Sequence, residues 1–371
     1  MKYSNVDTES KLSARGCFMW EKRPSSTSHL GDRFLPKLLI VWTYPATYFI
    51  RTVRALSTRR EVFVYFSAGL NPDYELSLSE LSGIATVVPS KGDLWYLIRT
   101  ARFMEVLICG WSHPEALLVA LYFRFRARVV LYLDTNLRDS YRQRIRRGLF
   151  RLVGKTFFEY VTFPGARSRR FAQAIGYSEA KSISGALFID RMDLQARHST
   201  TTPFIFLGRD THEKGIEVLL EAYALYRQSV SAPRELLICA KQQSERPAAR
   251  GVVWKGYVPS EHVPGMLAGG YALVLPSRFE PWGAACLEAA AAGLPLLLST
   301  EVGAAEDLLC GNGFLFQPTV SDLLAALHRS HLLSASEWTA LSDNSLAVAE
   351  KFSGGPWLDR IVTRDSNQGN Q

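Results

Sequence analysis

The stretch Tyr271–Gly293, Y-A-L-V-L-P-S-R-F-E-P-W-G-A-A-C-L-E-A-A-A-A-G, decides how the rest of the chain is read. Tyr271 to Leu275 is an apolar run of strand length and reads as a buried strand. Pro276, Ser277 and Pro281 break it into a loop. From Gly283 the residues are nearly all good helix formers, until Gly293 and Pro295 stop the run. Glu280 therefore stands in the loop before a helix, and Glu288 stands inside that helix, about two turns on.

This order has chemical consequences. The first free N–H groups of the helix, near Gly283, Ala284 and Ala285, form an anion site. Small residues there let a phosphate approach the backbone. A carboxylate on each side can accept paired hydrogen bonds from a vicinal diol. A ligand with a diphosphate in the middle and a sugar at each end has that layout. The plainer alternatives are that Glu280 acts as a helix cap and that Glu288 is a solvated helix residue. Ala, Cys and Leu dominate around Glu288, however, so its helix is expected to be buried, and a carboxylate there needs a specific partner.

Working outward, the alternation of short apolar strands with helices covers most of the 371 residues. Strands are expected at Lys37 to Trp42, Val62 to Phe66, Ala85 to Val88, Val106 to Cys109, Val129 to Leu133 and Tyr160 to Phe163, with helical patterns between them, for example Phe49 to Leu56, Glu115 to Phe125 and Ser168 to Ile175. The polar segment Asp190 to Thr202 then reads as a linker. The alternation restarts at Phe204 to Leu207 and continues through Leu236 to Ala240, Val252 to Lys255, Tyr271 to Leu275, Leu296 to Ser299 and Gly313 to Phe316. Such a pattern predicts parallel sheets with helices on both faces, in two Rossmann-like domains over about 36–195 and 196–371. Residues 1–35 are polar and mixed in charge and are expected to be a poorly ordered tail.

Composition sets the class. The chain is 47% hydrophobic and 21% charged, which is globular and excludes wholesale disorder. Its five cysteines are scattered, without metal-ligand spacing, and fit a reducing, cytoplasmic setting. The start M-K-Y-S-N-V-D-T has no apolar signal-peptide core, and no apolar run approaches the ~18 residues of a membrane span. A net charge of +8 favours an anionic partner or surface.

Strand Phe204 to Leu207 runs into G-R-D-T-H-E-K-G, Gly208 to Gly215. Ligands of open parallel sheets bind at the carboxyl ends of strands. Arg209 and Lys214 flank that loop, and two cations suit a diphosphate whose charge grows as a bond to it breaks. Taken alone, either could be a solvated loop residue. Together with the anion site before Glu288 they are expected to converge on one ligand.

These pieces resemble the retaining nucleotide-sugar glycosyltransferases of the two-Rossmann-domain GT-B architecture, glycosyltransferase family four in particular. The resemblance rests on F-L-G-R-D-T-H-E-K-G-I-E-V-L-L-E-A-Y, on G-Y-V-P-S-E-H-V-P at 256–264, on L-P-S-R-F-E-P-W-G-A-A-C-L-E-A-A-A-A-G-L-P with Glu280 and Glu288 as an E-x7-E pair, and on N-G-F-L-F-Q-P at 312–318. It is dense over about 200–330. It implies a fold of two Rossmann-like domains facing each other across a cleft, with a C-terminal helix crossing back to the first. It implies that Arg209 and Lys214 hold the donor diphosphate and that Glu288 binds the ribose hydroxyls. Glu280 would hold hydroxyls of the transferred sugar, with backbone N–H groups of Trp282, Gly283, Ala284 and Ala285 nearby, and the backbone around Tyr257 and Val258 would meet the base. The donor is expected to be a UDP- or GDP-sugar, retention is implied by the family alone, and no metal or other cofactor is expected.

The first half resembles the family less. The loop after its first strand, Tyr44 to Tyr48, lacks the glycines many family members carry there. His113 follows strand Val106 to Cys109, and Asp134 follows strand Val129 to Leu133. Either could orient or deprotonate an acceptor hydroxyl. Otherwise His113 is a turn histidine and Asp134 an N-cap for the next helix. The segment Arg138 to Lys155 holds Arg142, Arg144, Arg146, Arg147 and Arg151 interleaved with Ile145, Leu149, Phe150 and Leu152. As a helix it is basic and amphipathic. It is either a solvated face or a surface for an anionic membrane, the inner face of the plasma membrane, where a lipid-linked or polysaccharide acceptor would be met. No aromatic stacking platform accompanies the charge, which argues against nucleic acid. A non-catalytic nucleotide-sugar binder and a GT-B epimerase or phosphorylase stay open as alternatives.

Overall fold

A computed structural model describes residues 35–352, except 44–47, 68–77, 112, 138–140, 186–194, 200 and 243–248. The tail over 1–35, all but its last residue, the loop after the first strand, part of the linker (190–194 and 200), and the chain beyond Phe352 where the crossing helix is expected lie outside the described residues.

The first half holds β1 (Lys37–Trp42), α1 (Tyr48–Ser57), β2 (Glu61–Phe66), β3 (Thr86–Val87), α2 (Lys91–Thr100), β4 (Phe103–Cys109), α3 (Pro114–Phe123), β5 (Arg128–Tyr132), α4 (Tyr141–Phe157), β6 (Tyr160–Phe163), α5 (Ala166–Ala174) and β7 (Ser182–Ser184). The second holds β8 (Phe204–Leu207), α6 (Ile216–Ser229), β9 (Leu236–Cys239), β10 (Val252–Trp254), α7 (Val263–Ala268), β11 (Ala272–Leu275), α8 (Ala284–Ala291), β12 (Leu296–Ser299), α9 (Ala305–Leu308), β13 (Gly313–Phe316), α10 (Val320–His331) and α11 (Ala335–Glu350). The strand orders are β3-β2-β1-β4-β5-β6-β7 and β10-β9-β8-β11-β12-β13. Every pairing in both sheets is parallel.

Both faces of each sheet are covered, and the sequence shows why. In β1, Leu38, Ile40 and Trp42 enter one core cluster while Leu39 and Val41 enter the other. That is the two-residue period of a strand with no wet face. In β12, Leu296, Leu297 and Leu298 are all fully buried, worth about 2 kcal/mol each as apolar area removed from water. Elements without a strong apolar signature escaped the sequence reading. Strand β7 is a polar edge strand, S-I-S. Helix α2 starts K-G-D and is set by its Ser90 cap, whose Oγ accepts from the Asp93 N–H at 3.2 Å. Helix α9 has only 4 residues.

In each sheet the order reverses beside the strand that is first in sequence, between β1 and β4 and between β8 and β11. Helices leave to opposite faces there, so a crevice opens at the carboxyl ends. The two halves also meet at a joint beside this crevice. Asp307, just inside α9, accepts the Ala166 N–H at the start of α5 (3.0 Å) and the Trp282 Nε1–H (3.1 Å). Burial pushes the Asp307 carboxyl up, and these two donors pull it back down. Arg167 and Arg170 both reach Glu306, and Arg167 also donates to the Thr300 carbonyl at 2.8 Å.

Candidate active site

Two loops of the second half make one wall. The loop after β8 carries Lys214 in a short 3-10 turn, His212–Lys214. Gly215 ends it at φ +69, where a Cβ would lie 2.2 Å from the Pro276 carbonyl oxygen. Glycine is required on both counts. The close approach lets the Glu213 carbonyl accept from the Arg278 and Phe279 N–H groups at 2.8 and 3.1 Å. The loop is thereby clamped onto the one after β11, and Lys214 is delivered to Glu280.

Glu280 is held by its own backbone. Its N–H donates to the Glu301 carbonyl at 3.2 Å, and its carbonyl accepts from Gly303 at 3.0 Å. Its side chain is ion-paired to the Lys214 ammonium, and both are largely buried. Gly283, at φ +103, is the N-cap of α8 and offers no capping side chain, so Glu280 is not the cap of this helix. Ala284 and Ala285 at the helix start keep some exposure. This is an uncapped helix start beside a lysine, with a carboxylate next to it. Trp282 is buried, with its ring against Phe352 and its indole on Asp307. Its side chain serves the joint, and its backbone lies at the site. Val258 is half-buried in the loop before α7.

Glu288 lies further along α8. It is not a solvated helix residue: its side chain is 14% exposed and pairs with Arg51 Nη1 at 2.5 Å. Burial pushes its carboxyl up and Arg51 pulls it down. Arg51 comes from α1, in the first half, and its Nη2 also donates to the Ser260 carbonyl at 3.2 Å. The Ser260 hydroxyl in turn reaches the Glu80 carboxylate at 2.5 Å. Arg209 is exposed in the same loop as Lys214, where its charge helps hold the Glu213 carboxyl down, after Glu213's own backbone N–H and the Thr211 hydroxyl. Lys214 is thus seated in the wall, while Arg209 stands at its rim.

The first half supplies the facing wall. Asp134 follows β5, and α4 does not begin until Tyr141, so Asp134 is not the N-cap of that helix. Withdrawal from water pushes its carboxyl up, its own backbone N–H pulls it back, and the charge of Glu280 pushes it up again. Asp134 and Glu280 therefore feel each other across the crevice. Asn136 adds a bond to Glu280 from the same wall: its Nδ2 donates to the Glu280 carbonyl at 3.4 Å, and its own carbonyl accepts from Gln143 Nε2 at 2.7 Å. His113 occupies the N-cap position of α3 without a side-chain cap bond. Its charge helps hold Glu115 down, though less than the bonds Glu115 accepts from Lys91 and from the Tyr65 hydroxyl at 2.7 Å. Burial, with that hydrogen bond, pushes Tyr65 up to about 12.

Helix α4 presents the basic face. Arg144, Arg146 and Arg151 are exposed, Arg147 is half-buried, and the Arg142 side chain lies outside the described residues. Tyr141, Ile145, Leu149 and Leu152 are all exposed, Leu152 at 81%. Their spacing puts them on one stripe of the helix. Helix α3 packs against α4 and adds exposed Leu118 and Leu121, with Phe125 at 86% just beyond its end. Among the described residues no helix is long and apolar enough to cross a membrane, and no group of His, Cys, Asp and Glu side chains is set to hold a metal ion.

Sequence reasoning passed over two residues of this crevice. Arg51 is one of two arginines in a short helix, with Arg54, and nothing in its periodicity marks a partner 237 residues away. Asn136 was visible in L-Y-L-D-T-N at a strand end, the one signal that could have found it.

Residues 193–345 match the family model for glycosyl transferases group 1. The glycogen synthase of Mycobacterium tuberculosis is 29% identical over 170 residues, covering 42% of this chain and 41% of that protein. O-antigen chain mannosyltransferase B of Escherichia coli is 28% identical over 160 residues, covering 40% and 42%. The match thus spans about two fifths of the length of these curated relatives. Among solved structures, Anabaena HepE in complex with UDP-glucose superposes with a TM-score of 0.69 at 16% identity, over 88% of this chain and 98% of that one. Sucrose-phosphate synthase from Thermosynechococcus elongatus gives 0.65 at 14% identity, over 88% and 96%. Residues 193–345 thus match the glycosyl transferases group 1 family, within a chain whose two parallel α/β halves have the GT-B architecture.

Proposed function

We propose that the chain is a glycosyltransferase that moves a hexose from a UDP- or GDP-sugar to a hydroxyl acceptor, with retention at the anomeric carbon. The observation that carries this reading is the grouping at the second half's switch point. The Lys214 ammonium and the uncapped start of α8 lie together, with Glu280 beside them and Glu288 further along the same helix. The diphosphate would take Lys214 from Glu280, and Glu280 would then be released to the hydroxyls of the sugar. Charge developing on the leaving diphosphate is met by that ammonium, by the α8 N–H groups and by Arg209 at the rim. Glu288 is left for the ribose. Relatives and neighbours name compatible ligands and reactions: UDP-glucose for HepE, mannosyl transfer for the Escherichia coli protein, and transfer with retention for trehalose-6-phosphate synthase.

The acceptor would enter from the first half. Asp134, pushed toward neutrality by withdrawal from water and by Glu280, is suited to accept a hydrogen bond or a proton from the incoming hydroxyl. Closure of the crevice excludes the water that would otherwise hydrolyse the donor. His113, with Glu115, Lys91 and Tyr65, lines the acceptor's approach in this reading. The exposed stripe of α4, with the arginines beside it and the apolar residues of α3, fits an anionic membrane surface. A lipid-linked or glycolipid acceptor would be presented there.

The test is a thermal-shift panel of nucleotide sugars. A ligand at 100 times its dissociation constant stabilises the native state by about 2.7 kcal/mol through mass action. One uridine or guanosine sugar should raise the melting temperature, and excess EDTA should leave that shift unchanged because protein cations meet the diphosphate. A panel without a shift overturns the donor site. A shift abolished by EDTA overturns the metal-free arrangement.

A further inference from the structure

We infer that Arg51 is a positioning residue for the donor site. From the first half, it holds one oxygen of Glu288 so that the other faces the nucleotide ribose. This rests on the reading of Glu288 given above.

The placement is firm at its base. On α1, Phe49, Ile50, Val53 and Leu56 are all buried, so the helix that carries Arg51 is fixed to the core. The Arg51 side chain itself is 10% exposed. Its two terminal nitrogens engage different targets, Glu288 Oε1 at 2.5 Å and the Ser260 carbonyl at 3.2 Å. Guanidinium is a planar fork with its donors in fixed directions, so holding both targets sets the distance and angle between them. Ser260 belongs to the loop that follows β10, where the base was expected, and its hydroxyl is held from the first half by Glu80. One arginine therefore ties the base loop to the ribose carboxylate.

An ionised carboxylate has about four lone-pair directions. Among the described residues Arg51 engages Oε1, which leaves Oε2 to accept from a vicinal diol. Burial alone would favour the protonated acid, which is a poorer acceptor. The guanidinium opposes that, pulling the carboxyl back part of the way toward the ionised form that accepts best. A residue of the acceptor half would thus govern donor affinity without touching the donor, and donor binding would be linked to closure of the crevice. The competing arrangement is a latch, in which the ribose must displace Arg51 from Glu288. The two predict opposite signs on removal of Arg51.

The experiment measures UDP and GDP binding by calorimetry for wild type, Arg51→Met, Arg51→Lys, Glu288→Gln and the double variant Arg51→Met/Glu288→Gln. Losing a charge-assisted hydrogen-bond partner should weaken binding of whichever nucleotide wild type takes by about tenfold or more in Arg51→Met. Arg51→Lys should recover only part of that loss, because an ammonium restores the charge but not the fork that spans both targets. Arg51→Met should cost nothing further in the Glu288→Gln background. Unchanged or tighter binding by Arg51→Met overturns the inference, and so does an equal loss in both backgrounds. If Arg51→Met fails to fold, Arg51→Gln is judged by the same criteria. Normal binding by Glu288→Gln would instead mean that the donor-site reading itself has failed. A loss in Glu288→Gln with none in Arg51→Met would sink the positioning role alone.

Discussion

Lys214→Ala is expected to lower the rate of sugar transfer by about a hundred- to a thousandfold, the cost of removing one preorganised donor from a site where negative charge develops. The ammonium is paired with Glu280 beside the uncapped start of α8. In the proposed donor complex it moves to the diphosphate, and that contact strengthens as negative charge grows on the leaving group, so its loss falls on the transition state more than on nucleotide binding. The lost activity should therefore show mainly in kcat. Removing Lys214 also strands a buried carboxylate, and an unpaired buried charge is destabilising. Lys214→Ala/Glu280→Gln removes that complication. The double variant should melt near wild type and still be inactive, as read by release of nucleotide diphosphate with acceptor present. Wild-type turnover in either variant would refute the assigned role.

Reversing the charge at Arg144, Arg146 and Arg151 together should weaken association with vesicles of phosphatidylglycerol by at least about a hundredfold, because each cation near an anionic surface contributes about 1 kcal/mol. All three are exposed. Exposed substitutions of this kind usually leave stability within about 0.5 kcal/mol, so the melting temperature and nucleotide affinity should hold. The apolar stripe gives an independent arm. Ile145→Ser/Leu152→Ser should weaken vesicle binding at high salt, where the charges are screened and burial of apolar area remains. Vesicle partitioning that is unchanged in both variants would remove the membrane from the account.

Much of this architecture could be read from the chain because most of its strands carry an apolar run of strand length. Strands β8, β12 and β13 are expected where they occur, since F-I-F-L, L-L-L-S and G-F-L-F are apolar runs too short for a buried helix and are flanked by glycine or proline. Polar or very short elements, β7, α2 and α9, carried no such signature. The pairing of Lys214 with Glu280 was accessible because both follow strands whose carboxyl ends must share a rim. That logic is local to one sheet. It could not show that Glu288 is held by Arg51, because that contact depends on how the two halves close. Nor could it separate Lys214, seated through the tight turn at Gly215, from Arg209 at the rim. The Asp134 cap reading failed for a related reason: composition does not say how many residues intervene before α4 begins.

The most direct measurement is a crystal structure of the protein with a UDP- or GDP-sugar bound. The account predicts the diphosphate within hydrogen-bonding distance of Lys214 Nζ and of the N–H groups at the start of α8, the ribose on Glu288 and the hexose on Glu280. A nucleotide seated elsewhere, or a diphosphate out of reach of Lys214, would contradict it.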